Sequence, residues 1–466
     1  MDLPRSDLLH LSLVSGAVPE LAWLLGVAGG VYLLARWGRR WLLTVLLAAV
    51  GAVALAALIH WLLIDVLSVF PEDLPAEVVF WWSVVLAGVG LAVACYLRFA
   101  AARPSGRRRR ILAPLAALGV VLLASVQINL YFGLNPTLGD LLGTSVVGIP
   151  QLGAQYKRPA APMAVLPLTS SPGPAAAAAS SAAASSTTPP STAQWQRPAD
   201  LPANGVLRHA AISGTVSGFS SRNAYIYLPP AYLVRNRPQL PVLVLFSGQP
   251  GAPGDWLTGG QLAPTMDRYA AAHNGLAPVV VVVDPNGTQS ANTLCMDSNI
   301  ARADTYLSVD VPRWIVATLD VEASTQRWAA GGFSFGATCA LELGARHPDI
   351  FPNVIAFSAE REPALAKDRS RTIQAAFGGD VAWFDSRTPL DILAREGFSH
   401  SSVYFSAGAD DPDFVGDMAQ LSTAARGAGF RVRTAAVPDV GHSWAVPVHT
   451  MGDALDFLGP QLGLVQ

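Results

Sequence analysis

Charge is scarce in this chain: 14% of its 466 residues are Asp, Glu, Lys or Arg, and 31 basic against 33 acidic residues leave a net charge of −2. Such a balance carries no overall basic footprint for a nucleic-acid partner. Cysteine is scarcer still, with three residues. No His/Cys/Asp cluster has metal-ligand spacing, no glycine-rich phosphate loop of the Walker type is present, and no internal repeat is evident. No metal and no cofactor are therefore expected.

Apolar residues are what the chain has in excess, 51% of the total with a mean hydropathy of +0.36. The excess is concentrated in the first third. Candidate spans run over Val18 to Arg36, Trp41 to about Leu67, Val78 to about Ala101 and Ile111 to about Phe132, each long enough to cross a hydrocarbon core of about 30 Å. The expectation for residues 1–133 is four transmembrane helices. Arg36, Arg39 and Arg40 lie between the first two spans, and Arg98, Arg103 and Arg107 to Arg110 between the last two, whereas Glu72, Asp73 and Glu77 follow the second. Arginine-rich loops stay in the cytoplasm. The pattern predicts a multi-pass plasma-membrane protein with both termini and everything after Phe132 extracytoplasmic. The first span lacks the basic flank and cleavage site of a signal peptide, which favours a retained helix. The Arg107 to Arg110 run reads as a topology anchor beside phospholipid headgroups rather than a nucleic-acid site. His60 and Asp65 read as interface residues rather than a proton relay.

Residues 134–157 read as an interfacial segment or a partner site. From 158 to 204 the composition turns to Pro, Ala, Ser and Thr, including AAAAASSAAASSTTPPS. Such a stretch buries too little apolar surface to order itself. As a flexible tether it reaches about 35–40 Å.

Residues 205–466 alternate strand and helix patterns at single-domain length. Runs such as VLVLF at Val242 to Phe246 and VVVVV at Val279 to Val283 are continuously apolar, as parallel strands covered on both faces must be. The expected architecture is an α/β domain with a mostly parallel, doubly wound sheet and ligands at the strand carboxyl ends. Within it, Gly332-Phe333-Ser334-Phe335-Gly336 has the spacing of a nucleophile elbow, where two glycines make room for a strained turn that lifts a serine out of the fold. A triad is then sought in the order Ser, acid, His. Beyond the apolar run Ser402 to Ser406 stand Asp410 and Asp411, of which Asp411 is preferred for its distance past Gly408, with Asp410 the alternative. Turn chemistry explains either acid as well. His442 sits in the loop after the last candidate strand, where a general base belongs. Phe335 and Gln249 are the candidate backbone donors of an oxyanion hole.

The stretches YIYLPPAY (Tyr225 to Tyr232), SGQPGAPGDW (Ser247 to Trp256), TYLSVDVPRWI (Thr305 to Ile315), GGFSFGATCALELGARHPDIF (Gly331 to Phe351) and GHSW (Gly441 to Trp444) resemble the esterase branch of the α/β-hydrolases. That branch includes S-formylglutathione hydrolases and secreted mycobacterial mycolyltransferases. The resemblance covers about Ala224 to Leu458 and implies a serine esterase or acyltransferase acting on a lipid or other acyl ester of the cell envelope. Ser334 and His442 match its nucleophile and base. Mycolyltransferases of this branch use a glutamate as their acid, whereas an aspartate stands here. A non-catalytic scaffold module with a hydrolase fold is the alternative. Cys295 and Cys339, an even pair in an exported domain, suggest a disulfide, with two buried thiols as the alternative, and Cys95 lies in a span.

Overall fold

The computed structural model describes residues 8–36, 38–100, 107–158 and 192–464. Most of the expected tether, residues 159–191, and Arg103 lie outside the described residues. Helices α1 (Ala17–Leu34), α2 (Arg39–Trp61), α3 (Ala76–Ala100) and α4 (Arg107–Phe132) open the chain. Among the described residues, four stretches are long and apolar enough to cross a membrane: Ala17–Leu34, Arg39–Val66, Ala76–Arg98 and Ile111–Phe132. The second is the longest because a π-helical turn, Leu62–Val66, continues α2. Small residues set how the helices meet. Gly29 lies on the Ala116 backbone and Gly119 on the Leu25 carbonyl, so a Cβ at either would collide. Close backbone approach of this kind favours association where lipid is as apolar as the side chains. Leu42, Leu46 and Leu47 on α2 are more than half exposed.

The remainder is one eight-stranded sheet in the order β1-β2-β4-β3-β5-β6-β7-β8. Its strands are β1 Val206–Ala210, β2 Ala224–Leu228, β3 Val242–Phe246, β4 Val279–Val283, β5 Ala329–Phe333, β6 Asn353–Phe357, β7 Ser402–Gly408 and β8 Arg431–Val437. The β1–β2 and β2–β4 pairings are antiparallel, and from β4 to β8 every pairing is parallel. All five residues of β3 and of β4 are fully buried, the consequence of helices on both faces: α5 Leu262–Ala272, α6 Val311–Thr318, α7 Phe335–Arg346, α8 Arg369–Phe377, α9 Pro412–Gly427 and α10 Ala445–Leu462. Sheet edges are templates for unwanted pairing unless covered or charged. The β1 edge is covered by residues 150–152, where His209 donates its N–H to the Pro150 carbonyl at 3.0 Å and Leu152 donates to His209 at 2.9 Å. The β8 edge carries Arg431 and Arg433 instead.

The described residues at the two ends of the expected tether pack on the sheet domain, and for 192–204 this differs from the sequence reading. Lys157 bridges to Leu319, and the Tyr156 carbonyl accepts from the Tyr232 hydroxyl at 2.7 Å. On the far side, Trp195 is buried in the core and donates to the Asn274 carbonyl at 3.0 Å. Single aromatic side chains bury enough area to order short polar segments, so both ends of the expected tether are pinned.

The helical region meets the sheet domain at the carboxyl ends of the strands. The Phe132 carbonyl, at the end of α4, accepts from Trp444 N at 2.9 Å. Lys367 donates to Asp73 at 2.6 Å, Arg371 donates to the Asp65 carbonyl at 2.6 Å, and His60 Nε2 lies 3.3 Å from Asp73. Loops after β6 and β8 thus face one end of the bundle, and Arg36, Arg39, Arg40 and Arg98 lie toward the other.

Candidate active site

Ser334 stands between β5 and α7 with φ 58° and ψ −128°, a conformation a residue with a side chain adopts only under constraint. The constraint comes from close approach. A Cβ on Gly332 would run into the backbone of Gly336, and one on Gly336 into the Phe246 carbonyl. Only glycine at both positions lets the turn fold against β3. Ser334 N donates to the Phe357 carbonyl at 2.9 Å, which ties the turn to β6.

Asp411 follows β7 and directly precedes α9. Gly408, the last residue of β7, lets the chain after β8 cross over it, since a Cβ there would meet the carbonyls of Val440 and Gly441. Asp410 N donates to the Val440 carbonyl at 2.9 Å. This crossing brings His442 beside Asp411. His442 Nδ1 lies 3.1 Å from Asp411 Oδ2, and Nε2 lies 2.9 Å from Ser334 Oγ. The imidazole is stacked against Phe333 at 5.0 Å between ring centres and packed on Phe414 at 4.2 Å. Two aromatic faces and two hydrogen bonds leave the ring a single orientation. Asp411 is buried, whereas Asp410 is exposed, so of the two carboxylates it is Asp411 that meets the histidine.

Phe335 is the first residue of α7, and its N–H belongs to the set that a helix cannot use internally. Gln249 lies in the loop after β3. That loop approaches Ser334 closely: a Cβ on Gly248 would stand 3.5 Å from Ser334 Cβ. Cys295 and Cys339 are disulfide-bonded with 5.4 Å between their Cα atoms, within the ordinary range, and the bond ties the loop after β4 to α7. Cys95 is a buried free thiol among the membrane helices. Among the described residues no His/Cys/Asp/Glu group has the arrangement to hold a metal ion.

Two groups beside the site carry no motif. Tyr131, on the last turn of α4, accepts from His442 N at 3.5 Å, and its hydroxyl lies against Gly441. Glu72, from the loop between α2 and α3, lines a cavity of about 140 Å³ with Glu360 and Asp417. Glu360 is buried and its carboxyl is raised well above the usual range, by desolvation first and then by Glu72. Glu72 is exposed as a residue, yet its carboxyl is pushed up to about 8, again by desolvation and then by Asp417, Asp411 and Asp413. Only the general signal that acids sit in a loop could have pointed to Glu72, and Tyr131 reads in the sequence as the end of a span.

Residues 219–453, half of the chain, match the family described as "Putative esterase". The chain belongs to that esterase family. An uncharacterized protein of Corynebacterium glutamicum is 36% identical over 270 residues, which cover 56% of this chain and 63% of the relative, so the match spans less than two thirds of the relative's length. Solved structures similar to this chain include a ferulic acid esterase (20% identity, TM-score 0.48, covering 56% of this chain and 99% of that one). Others are an S-formylglutathione hydrolase from Agrobacterium tumefaciens (17%, 0.48, 56% and 97%) and MPT51 of Mycobacterium tuberculosis (18%, 0.40, 55% and 99%).

Proposed function

We propose that this esterase-family chain is a membrane-anchored, extracytoplasmic serine esterase or acyltransferase that acts on acyl esters of the cell envelope through Ser334, His442 and Asp411. The observation that carries the reading is the continuous chain from Asp411 Oδ2 through His442 to Ser334 Oγ, with links of 3.1 and 2.9 Å, at a strained turn.

Ser334 Oγ attacks the ester carbonyl carbon while His442 Nε2 takes its proton, and Asp411 holds the tautomer and stabilises the imidazolium. The oxyanion that forms is stabilised by the N–H groups of Phe335 and Gln249. The carbon–oxygen bond to the leaving alcohol then breaks, and His442 protonates that alcohol. Water or an acceptor alcohol attacks the acyl-enzyme, giving its proton to His442, and Ser334 leaves as the hydroxyl. Hydrolysis and transfer share every step but the last nucleophile. Orientation rests on the arginines at the far end of the bundle, which by their loop positions stay in the cytoplasm.

The test is turnover of a short p-nitrophenyl ester by the intact chain in nanodiscs. Ser334→Ala and His442→Ala are each expected to lower kcat by at least about a thousandfold with the chain still folded. Equal turnover in the variants would end the reading.

A further inference from the structure

Residues 8–14 and 136–147, at the ends of two membrane helices, form one small unit that the catalytic reading leaves unused. Leu13 N donates to the Pro136 carbonyl at 2.8 Å, Leu138 N donates to the Leu11 carbonyl at 2.9 Å, and Ser12 bridges to Thr137. The unit is built rather than loose. Thr137 and Asp140 form a reciprocal capping box at the turn Leu138–Leu141, and Gly143, at φ 69°, redirects the chain into the turn Thr144–Val147.

Its most exposed large side chains are apolar, beside exposed His10, Thr144 and Ser145. Leu141 is 57% exposed, Leu142 61% and Val147 86%, matching the leucines of α2. Its titratable side chains are His10 and Asp140, and the latter is committed to the cap. Covalent position decides what covers this face. Val14 lies three residues before α1 begins, a reach of at most about 10 Å, and the headgroup zone beside the hydrocarbon core extends about 5–8 Å. An aqueous partner would have to compete with a leaflet already in contact with the span ends. The other side of the unit touches the catalytic domain: Val146 packs on Gly254, in the loop that starts at Ser247 and passes Gly248 beside Ser334.

We propose that residues 8–14 and 137–147 are a lipid-contacting platform, with Leu141, Leu142 and Val147 seated in the headgroup–acyl boundary of the leaflet on the esterase side, and that it presents Ser334 to acyl esters still resident in that leaflet. The second half rests on the esterase reading above and narrows its substrate to a membrane-held amphiphile. The first half stands without it. An apolar segment lying in the interface gains from each side chain it buries there, so the platform holds the loop after β3 at a fixed height over the lipid.

The experiment uses the intact chain, with Cys95→Ala, in phosphatidylglycerol–phosphatidylcholine nanodiscs. A nitrobenzoxadiazole fluorophore is placed on Leu142→Cys, on Val147→Cys, or on Glu396→Cys in the exposed loop before β7 at the opposite end of the sheet. With phosphatidylcholine brominated high on its acyl chains, emission at 142 and 147 falls by about half or more, and emission at 396 is unchanged. Equal emission at all three positions, or protection of 142 and 147 by a second copy of the chain or another protein, overturns the lipid contact. In the second arm, Leu141→Ser/Leu142→Ser/Val147→Ser keeps turnover of a soluble short p-nitrophenyl ester within about twofold and loses about tenfold or more on a long-chain acyl ester dissolved in the nanodisc. Parallel changes on both substrates overturn the presentation role. A wild-type chain that turns over neither ester removes the esterase reading, while the quenching still decides the lipid contact.

Discussion

The helical region and the sheet domain are built from the same apolar residues and place them in opposite ways. In the helices glycines such as Gly29 and Gly119 are at the closest contacts and many leucines are outside, although Leu33, Leu91 and Leu123 are buried; in the sheet domain Val, Leu and Phe fill the centre, fully buried along β3 and β4. The difference teaches what the surroundings of each must be. Water drives large apolar side chains inward, whereas in lipid only close packing and hydrogen bonding distinguish inside from outside. Where the two regions meet, neither rule holds: the contact is made of hydrogen bonds, ion pairs and buried carboxyls around the loops that carry Asp411 and His442. The bundle is thus also a wall of the site.

That comparison is sharpened most by changes inside the sheet domain. Asp411→Asn should lower kcat by about a hundredfold to ten-thousandfold, from the loss of the tautomer-holding carboxylate, while Asp410→Asn, an exposed position, stays within about twofold of wild type in the same steady-state assay. Gly408→Ala puts a methyl into the Val440 and Gly441 carbonyls. It should cost about 1–3 kcal/mol in denaturant unfolding and lower activity, because the crossing that joins His442 to Asp411 opens.

A smaller effect from the other region would show whether the bundle matters to the chemistry. Tyr131→Ala, on α4, removes the hydroxyl beside the His442 backbone. It is expected to lower kcat by about tenfold with KM for a soluble ester little changed, Tyr131→Phe losing less. A Tyr131→Ala chain as active as wild type would reduce the bundle to an anchor.

The smallest effect expected is on the docking of the loop at Glu72. Its carboxyl is lifted from about 4.5 to about 8 when docked, so the docked form holds a proton that the free loop loses. Docking is then fully favourable below about 4.5 and weakens as the pH rises toward 8. Protection of residues 70–75, taken as their hydrogen-exchange rates relative to those of the unfolded chain at the same pH, should fall across that window in wild type and fall less in Glu72→Gln.

The strands were legible because apolar runs such as VLVLF are continuous yet far too short to span a membrane, as strands of a doubly covered sheet are, and the elbow because two glycines at fixed spacing record a close approach. Asp410 and Asp411 were harder to separate. Adjacent carboxylates in a turn have the same local chemistry, and only the crossing of the chain over Gly408 makes them unequal. Tyr131 and Glu72 were illegible in their roles, since each reads locally as a span end or a loop acid. The ends of the tether, read as residues 158–204, were misjudged for a related reason: Arg158 donates to the Thr318 carbonyl and Trp195 is buried in the core, single anchors that composition averages away.

The most direct measurement is reaction of the intact chain in nanodiscs with a fluorophosphonate, followed by peptide mapping of the adduct. A single adduct on Ser334, absent in Ser334→Ala and slowed in His442→Ala, is the expected result. A folded chain that stays unmodified, or carries its adduct on another residue, contradicts the esterase reading.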